Sequence, residues 1–294
     1  CGIHLSDGRR EDSGEGEAAA RAVCAKLRID LHIERPELGA GNLQARARQA
    51  RYDAAERLRA KLGAEYVATG HSRTDLAETM LYRLAVSPGS RALIGMRPRS
   101  GTVIRPLLGL TRTEIRRAVR LAALPFADDP TNDSAAYARN RIRAEVSPVL
   151  DEIGPEFERN AAETHAELLE EAEWMRAEAQ RALAASGADQ GVPLRHEELA
   201  TMAPAMRRTV LTILAERASG GRPVRISRAR ARDIERLAAD PEGGVIELGR
   251  GLEAVCEAGT LRFSGAGERR RPDPVRLTIP GRARYGEWEI TAQL

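Results

Sequence analysis

Over the first 85 residues short apolar runs alternate with longer runs of helical period: strands at 3–5, 29–33 and 66–69, helices at 14–27, 43–62 and 75–84. Strands separated by helices pair in parallel through crossovers, so this order predicts an α/β fold in which helices wrap a parallel sheet. Ligands in such sheets collect outside the carboxyl ends of the strands. The run Gly70-His71-Ser72-Arg73-Thr74-Asp75-Leu76-Ala77-Glu78-Thr79 stands at one such end. Counted as a helix, His71, Asp75, Glu78 and Tyr82 share one face, while Leu76, Met80 and Leu84 make a separate apolar stripe. The helix at 43–62 directs Leu43, Ala47, Ala50, Ala54 and Leu58 inward and leaves Arg48, Arg51 and Arg59 on a neighbouring face.

Farther along, 103–108 reads as a strand, and Thr111-Arg112-Thr113-Glu114 as a capping box that opens a helix through Leu121. A loop dense in Asp, Pro and Asn spans 124–134. A helix at 135–150 then turns Ile142, Val146 and Val149 to a core and carries Arg139 and Arg143 on a second face. From 155 to 185 Phe157, Ala161, His165, Leu168, Ala172, Met175, Ala179 and Leu183 recur every three or four residues, which predicts one long helix. Helices at 197–218 and 227–239 follow, then strands at 245–248, 252–256 and 260–263 separated by glycines. A Pro- and Arg-rich joint at 268–274 precedes strand-like runs at 275–279 and 288–292. The pattern suggests three regions: 1–152, 153–266, and 267–294 as the start of a C-terminal β region.

With 294 residues and 42% hydrophobic content the chain can bury more than one core. Aromatic residues are only 3%, which argues against a surface that binds nucleic acid chiefly by base stacking. Positive charge lies almost wholly on arginine, since Lys26 and Lys61 are the only lysines among 46 basic residues. Guanidinium forks suit bidentate contact with phosphate or carboxylate. The formal charge of +3, with 43 acids interleaved, permits a nucleic-acid partner without requiring one. The three cysteines form neither a C-x-x-C pair nor a zinc spacing, which fits a reducing compartment. With no apolar run near ~20 residues and no charged-then-apolar leader, a cytoplasmic, membrane-free location is expected.

Five runs in order carry a resemblance: Gln44 to Tyr52 (Q-A-R-A-R-Q-A-R-Y), the G-H-x-x-x-D-x-A-E-T run, Ile104-Arg105-Pro106-Leu107-Leu108, Asp129-Pro130-Thr131-Asn132, and Arg139-Asn140-Arg141-Ile142-Arg143. Together they resemble the tRNA(Ile)-lysidine synthetases, a group of PP-loop (N-type ATP pyrophosphatase) enzymes, over about residues 1–165. The resemblance implies an adenine-nucleotide α-hydrolase-like domain followed by helical and small α+β regions that bind tRNA. It implies ligation of lysine to C2 of the wobble cytidine in isoleucine tRNA with a CAU anticodon, through an adenylated cytidine, with ATP and Mg2+. It also allows a homodimer.

By the same resemblance Asp75, Glu78 and His71 are the candidate catalytic residues. The two acids would hold the ammonium end of lysine, or Asp75 a Mg2+ ion. Arg51, Arg105, Arg139, Asn140 and Arg143 are candidates for contact with nucleotide or tRNA. The family pattern usually reads G-H-x-x-D-D-Q-x-E-T, and here Thr74 and Leu76 replace its first acid and its glutamine. Its S-G-G-x-D-S phosphate loop would lie upstream of Ile3 and is not in this sequence, so the domain is expected to lack its first strand and loop. Ser219-Gly220-Gly221-Arg222-Pro223 follows a helix and lacks the Asp-Ser. Two other readings compete: a non-catalytic RNA-binding remnant, and a PP-loop tRNA thiolase, which the cysteine pattern disfavours.

Overall fold

Three helices of this chain begin where a side chain takes up a free backbone amide. The computed structural model, which describes residues 1–5, 13–35, 43–87, 89–127, 138–265, 275–285 and 288–293, shows this at α3 (Arg73–Val86), α5 (Arg112–Leu121) and α11 (Arg228–Ala239), capped by Ser72, Thr111 and Ser227. At α3 and α5 the cap is a full box closed by Asp75 and by Glu114. The chain divides into two compact units, Cys1–Glu171 and Ala172–Leu294.

In the first unit β1 (Gly2–Leu5) pairs in parallel with β2 (Leu31–Glu34) across helix α1 (Ser13–Leu27). After α2 (Leu43–Lys61), β3 (Val67–Ala68) leads into α3 and pairs in parallel with β5 (Val103–Ile104). A short helix α4 (Ser90–Leu93) precedes β4 (Arg99–Ser100), which runs antiparallel to β5. The architecture is therefore α/β with parallel pairing, as the alternation predicts. β5 is much shorter than the apolar run 103–108, because Pro106 cannot donate to a ladder. Leu76, Met80, Met96 and Leu108 form a small core, with Ala161 and Ala162 packed against it.

Two expected inward faces are not seen. Leu84 is 65% exposed, so the apolar stripe of α3 ends at Met80. Val146 and Val149 are also exposed. The helix expected at 135–150 is α6 (Ala138–Arg141), a π-helical turn Ile142–Val146 and α7 (Ser147–Ile153). A π turn inserts a residue per turn, so a face counted at 3.6 residues does not continue across it. The Asp129 to Asn132 run lies outside the described residues.

The expected long helix is α8 (Phe157–Ser186), 30 residues or about 45 Å at 1.5 Å per residue. It starts in the first unit and ends in the second. There β6 (Leu194–Arg195), α9 (His196–Thr201), α10 (Pro204–Ala218) and α11 precede β7 (Gly244–Gly249), β8 (Leu252–Glu257) and β9 (Thr260–Ser264). The single helix expected at 197–218 is thus two, since Pro204 lacks the amide that a continuous helix needs there. The four strands make an antiparallel sheet in the order β6-β9-β8-β7. Leu183, Leu194, Leu211, Ile213, Ile234 and Leu261 are among its fully buried core residues. Gly243 enters β7 at φ +64°, where a Cβ would come within 2.2 Å of the Cys256 carbonyl oxygen, so only glycine fits. A separate hairpin pairs β10 (Gly281–Tyr285) with β11 (Trp288–Ala292). Residues 275–279 are not a strand; the ladder starts after Pro280, which has no donor to offer it. Among the described residues no helix is long and apolar enough to cross a membrane.

Candidate functional site

At the end of β3 the chain passes through Gly70 and His71 into α3. Ser72 Oγ accepts the Asp75 amide, and Asp75 Oδ2 accepts both the Ser72 amide at 2.9 Å and the Ser72 hydroxyl at 2.6 Å. This box fixes the Asp75 carboxylate at the mouth of the helix, with 24% of its side chain exposed. Glu78, one turn deeper, is only 2% exposed. A carboxylate so buried needs a charged partner. Arg143, in the π turn, supplies it as a bidentate fork: Nε donates to Oε1 at 2.7 Å and Nη2 to Oε2 at 3.0 Å. Arg112, at the start of α5, donates to Asp75 Oδ1 at 3.4 Å and stands 3.9 Å from Glu78.

Burial by itself pushes the Asp75 carboxyl up, but the two Ser72 hydrogen bonds and the Arg112 and His71 charges more than offset it and hold it below the usual carboxylate range. His71 lies before α3 rather than on its face. Its Nδ1 is 2.9 Å from Thr69 Oγ1, whose hydroxyl is directed at the Ile104 carbonyl. In the tautomer with the ring proton on Nδ1, that nitrogen donates to Thr69 Oγ1 and Nε2 is left as an acceptor. Burial lowers the His71 pKa; Asp75 opposes this, and Arg105, Arg48 and Arg139 add to it. The ring is therefore neutral at neutral pH.

Cations surround these groups. Arg139 Nη2 donates to Thr79 Oγ1 at 2.8 Å. Its pKa falls through burial and repulsion by Arg48, against the pull of Asp75 and Glu78. Arg105 donates to the Arg97 carbonyl at 2.6 Å, and its buried Nε has no acceptor among the described residues. Asn140 sits beside Arg139 in α6. The structure thus gathers His71, Asp75, Glu78, Arg105, Arg139 and Arg143 around the start of α3. Arg51 is exposed on α2. Its neighbour Arg48, stacked over the Tyr52 ring at 5.0 Å, is the α2 arginine whose field reaches His71 and Arg139.

Sequence reading missed Arg48 as a site residue, and Arg112. The signal for Arg112 was present, since the capping box at Thr111 places it in the first turn of α5. What that turn would face was not. Among the described residues no three His, Cys, Asp or Glu side chains converge as metal ligands. Asp75, the candidate for Mg2+, has Oδ2 on Ser72 and Oδ1 at 3.4 Å from Arg112, so it offers at most one oxygen to a cation.

A family model described as a PP-loop domain matches residues 1–150. The tRNA(Ile)-lysidine synthase of Symbiobacterium thermophilum is 37% identical over 96% of this chain and 58% of its own length. That of Salinispora arenicola is 36% identical over 83% of this chain and 73% of its own. That of Bacteroides thetaiotaomicron is 35% identical over 56% of this chain, which spans 39% of that relative's length. A solved U34-tRNA thiolase of Methanococcus maripaludis overlaps 57% of this chain and 60% of its own with a TM-score of 0.48 at 16% identity, too partial a likeness to bear on activity.

Proposed function

We propose, from the premise that this chain belongs to the PP-loop family and within it to the tRNA(Ile)-lysidine synthases, that it is the nucleotide- and lysine-handling part of a lysine–tRNA ligase. ATP adenylates the C2 oxygen of the wobble cytidine in a CAU-anticodon isoleucine tRNA and pyrophosphate leaves. The lysine side-chain amine then attacks C2, and AMP leaves. Guanidiniums that face developing phosphate charge favour both steps. Arg105, Arg139 and Arg48 suit that role.

The observation that carries the reading is the unequal engagement of the two carboxylates. Each carboxylate offers about four lone-pair sites. Glu78 is buried and chelated by Arg143, so its part is to orient that guanidinium. Asp75 is reachable, and among the described residues its Oδ1 is approached by Arg112 at 3.4 Å and by Arg143 at 4.0 Å. Asp75 Oδ1 is thus the oxygen left for an ammonium group. Neutral His71, through Nε2, can accept the proton that the attacking amine must lose. Residues 153–266 serve the tRNA; Arg217, Arg222, Arg225, Arg228, Arg230 and Arg232 follow one another there with no acid between them.

The test is ATP-dependent incorporation of labelled lysine into this tRNA by the full-length protein. Wild type should incorporate lysine, and Asp75→Asn should raise the lysine KM about tenfold or more with tRNA affinity unchanged, as expected when one charge-assisted contact is lost. No incorporation by wild type overturns the function. An unaltered lysine KM in Asp75→Asn removes Asp75 from the lysine site.

A further inference from the structure

The N-terminal starts of α3, α5 and α8 meet at a single hydroxyl. Thr74 Oγ1 donates to Glu158 Oε2 at 3.0 Å and accepts the Arg112 amide at 3.1 Å. Arg112 is the first residue of α5, so its N–H has no acceptor within the helix and needs one from outside. The same residue carries the guanidinium that faces Asp75 and Glu78.

We infer that Glu158 is a positioning residue for this site, acting through the Thr74 hydroxyl on the start of α5 and so on the placing of Arg112. A hydroxyl can donate one proton only, so its direction is set by whichever acceptor holds that proton. With the Glu158 carboxylate as acceptor, the hydroxyl's lone pairs are turned to the Arg112 amide, and each bond strengthens the other. Without it the hydroxyl is free to rotate and the first turn of α5 loses its tether. Glu158 is half-buried, and burial pushes its carboxyl up; Thr74 and Arg73 oppose this, while Asp151 and Glu78 add to it. Arg73 anchors the approach to α5 independently, through its amide to the Leu110 carbonyl at 2.8 Å and its guanidinium to the Gly109 carbonyl. Its contacts hold residues 109 and 110, whereas the Thr74 hydroxyl takes up the amide of Arg112.

The kinetic readout rests on the function proposed above; a second readout does not. In the full-length protein Glu158→Ala and Thr74→Val should each raise the lysine KM about tenfold with kcat changed less than about twofold, the size expected for one lost hydrogen bond in a polar site. The double variant should be no worse than either single one, because both remove the same link. Glu158→Gln and Thr74→Ser, which keep an acceptor and a hydroxyl, should recover most of the loss. Additive losses, or a Glu158→Gln variant as impaired as Glu158→Ala, would overturn the inference. The second readout is hydrogen exchange at the Arg112 amide, which should quicken in Glu158→Ala and Thr74→Val and return in the conservative pair. Faster exchange in a protein whose wild type incorporates no lysine would strike down the lysine reading and leave the positioning role in place. Unchanged exchange in an active protein would overturn the positioning role alone.

Discussion

Residues 172–294 bury Leu183, Leu211, Ile213, Ile234 and Leu261 around a four-stranded sheet and keep their ion pairs, such as Arg176 with Glu216 and Arg236 with Asp233, in partial contact with water. Residues 1–171 do the reverse at α3. Their described apolar core is small, and the most buried charged side chain in it is Glu78, sealed by Arg143. A buried ion pair adds little net stability, and apolar side chains of similar volume often do better. The second unit is thus organised by apolar burial, whereas the first keeps charge where a hydrophobic cluster would be more stable. That contrast is what a site leaves behind when charges are needed for binding or chemistry.

The contrast can be tested by removing each kind of support. The largest effect should come from Arg143→Ala, which leaves the Glu78 carboxylate buried without its fork and should cost about 4 kcal/mol. Glu78→Met with Arg143→Met should recover most of that stability in denaturant unfolding while abolishing activity. If the double variant is as unstable as the single one, the pair is structural. Next, Ile234→Ala should cost about 3 kcal/mol, with faster hydrogen exchange at the amides of α11 and β8 and none at α3. Spread of that effect into α3 would show the units to be one cooperative body. The smallest effect is Ser72→Ala, about 1 kcal/mol at neutral pH from loss of the cap. Because Ser72 helps depress the Asp75 carboxyl, the stabilisation is present above the ordinary carboxylate pKa of about 4 and fades as pH falls through the lower folded value. The stability difference between wild type and variant should therefore shrink below about pH 4. A constant difference would show that Ser72 acts only as a neutral cap.

Much of the frame was legible in order and period. Thr111 and Glu114 announced their helix because a capping box is local, and the repeat from Phe157 to Leu183 announced α8 because one face of a helix must be apolar to pack. The inward face expected of Val146 and Val149 failed at a π turn, which no 3.6-residue count foresees. The strand expected at 275–279 lies instead at 281–285, beyond Pro280, where the chain pairs with β11 as a hairpin. At the site Asp75 and Glu78 were found by their spacing, but their different duties were not. Ser72 could have been read as the partner of Asp75, since Ser-x-x-Asp is a capping pattern, and that reading separates the two acids.

The order of residues settles what is local: which stretches become helix or strand, which side chain caps which amide, and which residue types stand at the end of β3. Those features depend on neighbours within a turn or two, and the chain carries them wherever it goes. Which of many arginines closes on Glu78, and which carboxylate steadies Thr74, depends on contacts 65 and 84 residues apart in sequence. Guanidiniums are chemically alike, so a pairing of that kind is chosen by the packing of α3 against α5, α8 and the π turn. The fold turns two acids of one motif into a buried anchor and an open acceptor.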